Sequence, residues 1–185
     1  MPEWLAQRAR ISPERIALVC GPERWSFAEL DRQVHATAQR LRAASVAPGD
    51  RVALLAPNSA AFVQAVFAVA RAGAVLVPLN LRLSRDELDW QLADCEARYL
   101  IVAAGAPPVS ERPGLRRLDL ETLTSGAGVE DAFEIDNYVE LDALQAIIYT
   151  SGTTGRPKGA MLSFGNHAWN AYGSAVNLGL RDDDV

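Results

Sequence analysis

Apolar residues come along this chain in two rhythms, short unbroken runs and stripes at helical spacing, parted by turn-forming residues. Residues 4–10 read as a short helix and Ser12-Pro13-Glu14 as a turn. Residues 16–19 form a strand, Gly21-Pro22-Glu23-Arg24 a tight turn and Trp25 the start of a return strand. Ser26 and Glu29 have the spacing of a capping box. The helix they open carries Leu30, Val34, Ala38 and Leu41 on one stripe and is predicted to run to about Ala44. Residues 51–55 are a strand, and Pro57-Asn58-Ser59 leads into a helix over 60–72 that is apolar almost all round, a composition that means burial. Gly73 stops it, and 74–78 is the next strand. Ser84 and Glu87 repeat the capping box for a helix to about Cys95, before a strand over 99–102. Strands alternating with helices at this spacing predict an α/β fold, a mainly parallel sheet with helices on both faces.

The rhythm weakens over 103–143. Gly105-Ala106-Pro107-Pro108 and Arg112-Pro113-Gly114 are loop, 115–120 holds at most one edge strand, and 124–128 is polar and flexible. Glu130, Asp131, Glu134, Asp136, Glu140 and Asp142 read as a solvated acidic face. The whole stretch is expected to be a surface connection. No internal repeat interrupts the chain.

The chemistry is concentrated in residues 146–159. A short apolar run, Ala146-Ile147-Ile148-Tyr149, reads as a buried strand. It gives way to Thr150, Ser151, Thr153 and Thr154 interleaved with Gly152 and Gly155, then to Arg156, Pro157, Lys158 and Gly159. Glycines let backbone N–H groups approach an anion, hydroxyls donate to its oxygens, and a lysine supplies positive charge, which is what a polyphosphate requires. Hydroxyl oxygens also suit the shell of a Mg²⁺ ion. A flexible polar hairpin rich in glycine is the plain alternative. The common G-x-x-x-x-G-K-[ST] motif is ruled out, since Pro157 stands where its second glycine belongs and Gly159 follows the lysine. Residues 160–162 then read as a short strand, and a helix over 167–178 follows, capped by Asn166 or Ser163 and ended by Gly179. In it Trp169 and Tyr172, three apart, read first as core packing, and Asp182-Asp183-Asp184 as a turn before further sheet.

The run from Tyr149 to Gly159 resembles the phosphate-loop signature of the adenylate-forming superfamily, which holds acyl-CoA synthetases, luciferases and the adenylation domains of peptide synthetases. Softer likenesses favour its o-succinylbenzoate–CoA ligases of menaquinone synthesis: residues 4–9 with 13–18, 79–84 with Trp90-Gln91-Leu92, and 164–167 with 177–180. The resemblance implies activation of a carboxylic acid by ATP to an acyl-adenylate, followed by transfer to coenzyme A. It implies that Thr150, Ser151, Gly152, Thr153, Thr154, Gly155 and Lys158 hold the β- and γ-phosphates. Lys158 and Thr154 would be catalytic, and Thr154 would also be a Mg²⁺ ligand. Fatty acyl-CoA synthetases of medium or long chain share the framework, and an amino-acid-activating domain or a non-catalytic nucleotide-binding module stays open beside them. Members of the superfamily are longer, so the chain is expected to be the N-terminal portion of a large domain, inactive alone and without the C-terminal lid. Its parts would be βαβ units over 1–102, the connection over 103–143, and the phosphate loop with its helix over 144–185.

Charge and composition narrow the classes further. A net charge of −5 offers no general attraction to nucleic acid, and no apolar run approaches the ~18 residues of a membrane span. The first residues lack the features of a signal peptide, and Cys20 and Cys95 form no metal or redox motif, so a cytoplasmic location with reduced thiols is expected. Small molecules (a carboxylic acid, ATP and CoA) are the expected partners, and a homodimer is left open. His35 reads as a surface or boundary residue, and His167 as either facing the ligand or capping and packing.

Overall fold

A computed structural model describes residues 3–126, 138–151 and 156–180. The chain runs through α1 (Trp4–Ile11), β1 (Ile16–Cys20), β2 (Glu23–Ser26), α2 (Phe27–Ala43), β3 (Arg51–Leu55), α3 (Ala60–Arg71), β4 (Val75–Pro78), α4 (Arg85–Asp94) and β5 (Tyr99–Val102). It continues through β6 (Arg116–Asp119), α5 (Leu120–Ser125), β7 (Leu144–Thr150), β8 (Lys158–Ser163) and α6 (Phe164–Leu178). Strands β1 and β2 form an antiparallel hairpin of their own. The other six make one sheet in the order β6-β5-β3-β4-β7-β8, parallel throughout except for the terminal β7–β8 hairpin.

Local chemistry places the helices. Ser26 and Glu29 close the capping box of α2, and Ser84 and Glu87 that of α4. Ser59 caps α3 by accepting the N–H of Phe62 at 3.1 Å. At its far end Gly73, with φ of +75°, takes the left-handed turn that a side chain resists.

The central strands β3, β4 and β5 are buried on both faces, and alternation along the strands divides the core. Val52 and Leu54 of β3, Leu76 of β4, Tyr99 and Ile101 of β5 and Ala146 of β7 pack beneath α2, α3 and α5. Ala53 and Leu55, Val75 and Val77, Leu100 and Ile147 turn the other way, toward Leu88 and Leu92 of α4. The stripe Leu30, Val34, Ala38 and Leu41 of α2 is buried as its spacing predicts.

Arg71 is enclosed on the first face, its side chain 2% exposed, with Nη2 2.5 Å from Oε2 of Glu3 and 2.6 Å from Oδ1 of Asp31. Glu3 also caps α1 by accepting from the N–H groups of Leu5 and Ala6. One buried guanidinium thereby ties α1, α2 and α3 together.

Four expectations are corrected. Residues 120–125 form α5, which takes in 124 and 125 of the stretch expected to be polar and flexible: Asp119 caps it by accepting from the N–H of Thr122 at 2.7 Å, and Leu120 and Leu123 enter the core. The 103–143 stretch therefore supplies an edge strand and a helix, not only a surface connection; 127–137 lies outside the described residues. Helix α6 starts at Phe164 rather than 167, because Ser163 is its cap and forms a capping box with Asn166. Trp169 and Tyr172 are not core. They are 73% and 66% exposed and stack edge to face on each other, since the i, i+3 spacing puts them on one face that no described element covers. The expected turn at Asp182-Asp183-Asp184 lies outside the described residues.

Candidate phosphate-binding hairpin

The parallel strands β3, β4, β5, β6 and β7 end together at one edge of the sheet, at Leu55, Pro78, Val102, Asp119 and Thr150. Open α/β sheets bind their ligands outside these carboxyl ends. The crossovers from β3 to β4 and from β4 to β5 cover opposite faces, so the connections after β3 and β4 diverge there. A cleft of about 340 Å³ opens between them, lined by Pro57, Asn58, Phe62, Leu79, Asn80 and Arg82 among others. Strand β7 lies beside β4 and delivers Thr150 and Ser151 to the same edge.

From Thr150 the chain turns back as β8, and Thr150 pairs directly with Lys158 across the hairpin. Residues opposite each other in an antiparallel pair share a face, so hydroxyl and ammonium groups stand side by side. Thr150, Ser151, Arg156 and Lys158 are all exposed. Among the predicted site residues the structure therefore brings Thr150, Ser151 and Lys158 together. Gly152, Thr153, Thr154 and Gly155 lie outside the described residues, and with them the expected metal ligand Thr154.

The opposite face of the hairpin is packed. Tyr149 pairs with Gly159, and a Cβ built on Gly159 would come within 2.8 Å of Cγ2 of Ile147 and 3.3 Å of Cζ of Tyr149. Any side chain there would have to displace Ile147. The Tyr149 ring meets Trp90 of α4 edge to face, with centroids 5.8 Å apart. Its hydroxyl donates to Oδ2 of Asp94 at 2.6 Å, with the carbonyl of Gln91 at 3.3 Å. Burial and the adjacent Asp94 carboxylate hold the Tyr149 phenol far above its ordinary pKa, so it remains a neutral donor. The Arg156 guanidinium lies 5.9 Å from the centroid of the Trp90 ring.

Trp90 and Asp94 were not singled out from the sequence as parts of the site; only their i, i+4 spacing on a helix hinted at a shared face. Nε2 of His35 lies 3.4 Å from Nε2 of Gln39, and His167 is half-buried with an enclosed Nε2 that has no hydrogen-bond partner among the described residues. Cys95 is buried, which raises its thiol pKa and suits a packing role. Among the described residues no group of three or more His, Cys, Asp or Glu side chains could hold a metal ion.

The hydroxyls and the ammonium of this hairpin suit the oxygens of a polyphosphate rather than a metal alone. The profile of the AMP-binding enzyme family matches residues 5–185. The chain belongs to that family. It is 39% identical over 184 residues to a 2-succinylbenzoate–CoA ligase of Geobacillus sp. (strain WCH70), covering 100% of this chain and 37% of that protein. It is 44% identical over 184 residues to a feruloyl-CoA synthase of Amycolatopsis sp., covering 98% of this chain and 37% of that one. The o-succinylbenzoate coenzyme A synthetase of Bacillus subtilis in complex with AMP superposes with a TM-score of 0.90 at 39% identity, over 100% of this chain and 48% of that one. The same enzyme with ATP and magnesium ion gives a TM-score of 0.88 at 37% identity, over 100% of this chain and 49% of that one. The chain thus spans 37% of the length of the curated relatives named. The superposition supports the mainly parallel α/β fold anticipated from the alternating strands and helices.

Proposed function

We propose that this chain is the phosphate-binding part of an AMP-forming acid–CoA ligase, with o-succinylbenzoate as its acid. The observation that carries the reading is the β7–β8 hairpin, which sets Thr150, Ser151 and Lys158 at the carboxyl edge of the sheet in a member of the AMP-binding family. The relatives named for o-succinylbenzoate support the choice of acid. The higher identity to a feruloyl-CoA synthase favours a second reading, an acid attached through a vinyl group to an aromatic ring.

In this reading the carboxylate attacks the α-phosphorus of ATP and pyrophosphate leaves. The CoA thiolate then displaces AMP. Negative charge builds on the phosphoryl oxygens and the leaving pyrophosphate in the first half. Hydroxyls of Thr150 and Ser151, the glycine- and threonine-rich residues 152–155 and the Lys158 ammonium stabilise it by position and charge. Loop hydroxyls, that of Thr154 among them, would hold a Mg²⁺ ion entering with the nucleotide, and the ion would supply further charge neutralisation. The reading places the protein in the cytoplasm; among the described residues no helix is long and apolar enough to cross a membrane. A homodimer belongs to the same reading and is checked by sedimentation of the purified protein.

Acid-dependent ATP–pyrophosphate exchange by the full-length enzyme tests the proposal, with o-succinylbenzoate, ferulate, fatty acids and amino acids offered in turn. Exchange with o-succinylbenzoate alone supports it. Exchange with ferulate or a fatty acid keeps the chemistry and replaces the acid, and exchange with amino acids points to an amino-acid-activating domain. Absence of exchange with every acid leaves a nucleotide-binding module. In the exchanging enzyme, Lys158→Ala slows the adenylation burst more than it weakens acid binding; an unchanged burst overturns the role of Lys158.

A further inference from the structure

Two side chains of α4 hold both feet of the phosphate-binding hairpin, although neither is part of it. Tyr149, one residue before Thr150, is fixed to α4 twice, through its ring on Trp90 and its hydroxyl on Asp94. Arg156, two residues before Lys158, lies over the same Trp90 ring. One indole therefore touches the residues on either side of the turn. Asp94 fixes the depth at which β7 sits, because a 2.6 Å bond to a phenolic hydroxyl tolerates little sliding.

Alternation separates this packing from the chemistry. Ile147 and Tyr149 face α4, whereas Thr150 and its partner Lys158 lie on the alternate side. Gly159 completes the arrangement: without a side chain it lets the Tyr149 ring lie across β8 and reach α4.

We propose that Trp90 and Asp94 are positioning residues for nucleotide activation, setting the placement of Thr150, Ser151 and Lys158 through Tyr149 and Arg156. The inference rests on the reading of the hairpin as a phosphate site. A misplacement on the order of an ångström in groups that stabilise developing charge is costly in rate, even when it originates outside the site. The second half-reaction no longer involves the β- and γ-phosphates that the hairpin is read as holding.

The test compares the two half-reactions in the full-length enzyme. Trp90→Ala and Asp94→Ala are expected to lower kcat/KM for ATP in pyrophosphate exchange about tenfold or more. Thioester formation from supplied acyl-adenylate and CoA should change less than twofold. Trp90→Phe and Asp94→Asn, which keep a ring and a hydrogen-bond acceptor, should recover most of the loss. Equal losses in both half-reactions, or no loss in either, overturn the inference, since the first marks general structural damage and the second an idle contact. If the unsubstituted enzyme shows no exchange, the functional reading fails instead, and tryptic cleavage after Lys158 decides the positioning. Cleavage several-fold faster in the alanine variants than in their conservative counterparts upholds the anchoring; equal rates refute it.

Discussion

Gly159→Ala offers a direct test of how tightly the hairpin is closed. The added methyl would lie 2.8 Å from Cγ2 of Ile147 and 3.3 Å from the Tyr149 ring, where real contacts begin beyond 3 Å. Ile147 is 8% exposed and belongs to the core beneath α4, so it cannot swing aside freely. Overpacking of this kind costs about 1–3 kcal/mol. For a chain of this size that lowers the thermal midpoint by roughly 2–4 °C per kcal/mol. The same change at Gly173, inside α6 with no atom within 4 Å of the new methyl, removes a helix-breaking residue and should stabilise by about 0.5–1 kcal/mol. Opposite signs for one chemical substitution separate steric closure from any general effect of alanine. Urea unfolding followed by circular dichroism measures both. Ile147→Ala should shrink the cost of Gly159→Ala, with a coupling of about 0.5–3 kcal/mol in a double-mutant cycle. Equal stability of Gly159→Ala and the parent, or a coupling near zero, would refute the close approach.

Two further predictions follow from the rest of the fold. Arg71→Ala leaves Glu3 and Asp31 facing each other without their shared cation and should destabilise by about 3–5 kcal/mol in urea unfolding, whereas a cost below 1 kcal/mol would mean water already screens the pair. The capping boxes impose a pH dependence. The N–H and hydroxyl of Ser26 lower the pKa of Glu29, and the hydroxyl and N–H of Ser84 that of Glu87, both below the ordinary 4.5. The unfolded chain therefore binds protons that the folded one refuses. Their contribution is complete above about pH 4.5 and is lost as pH falls through the lowered values. Substituting Glu29 and Glu87 by glutamine, which removes the titrating groups, should flatten the acid limb of the stability–pH curve, and an unchanged limb would disprove the linkage.

The sequence carries some of these features and hides others for physical reasons. The capping boxes at Ser26 and Ser84 use residues three apart, so they are legible in a short window, and the structure reproduces both. The hydroxyls at 150 and 151 and the lysine at 158 are equally local, and register alone pairs Thr150 with Lys158. Helix α5 escaped because six residues show too little periodicity, although Asp119 and Thr122 stand at capping distance. Trp169 and Tyr172 show the limit of spacing, which sets a shared face but not what covers it. The contact of Asp94 with Tyr149 spans 55 residues and depends on the α4 crossover meeting the β7 strand, which no local pattern encodes.

The topology explains why the chemistry sits on β7 rather than on another strand. Strands β3 and β4 leave the carboxyl edge for a helix, and their following residues are drawn away across a face of the sheet. Strand β7 instead returns at once as β8, so residues 151–157 must connect the two at that edge. Such a hairpin at a sheet margin joins β4 through one ladder pair, Leu76–Ala146, so side-chain packing must help hold it against the sheet. Strand alternation resolves the conflict between holding the hairpin and leaving it free to bind. Ile147 and Tyr149, on one side, are committed to the core and to α4. Thr150 and Lys158, on the other, keep their polar groups exposed. A one-residue slip of β7 would exchange those two sets, burying a hydroxyl and exposing an aromatic ring. The same contacts that stabilise the strand therefore select the register in which Thr150 and Lys158 face outward.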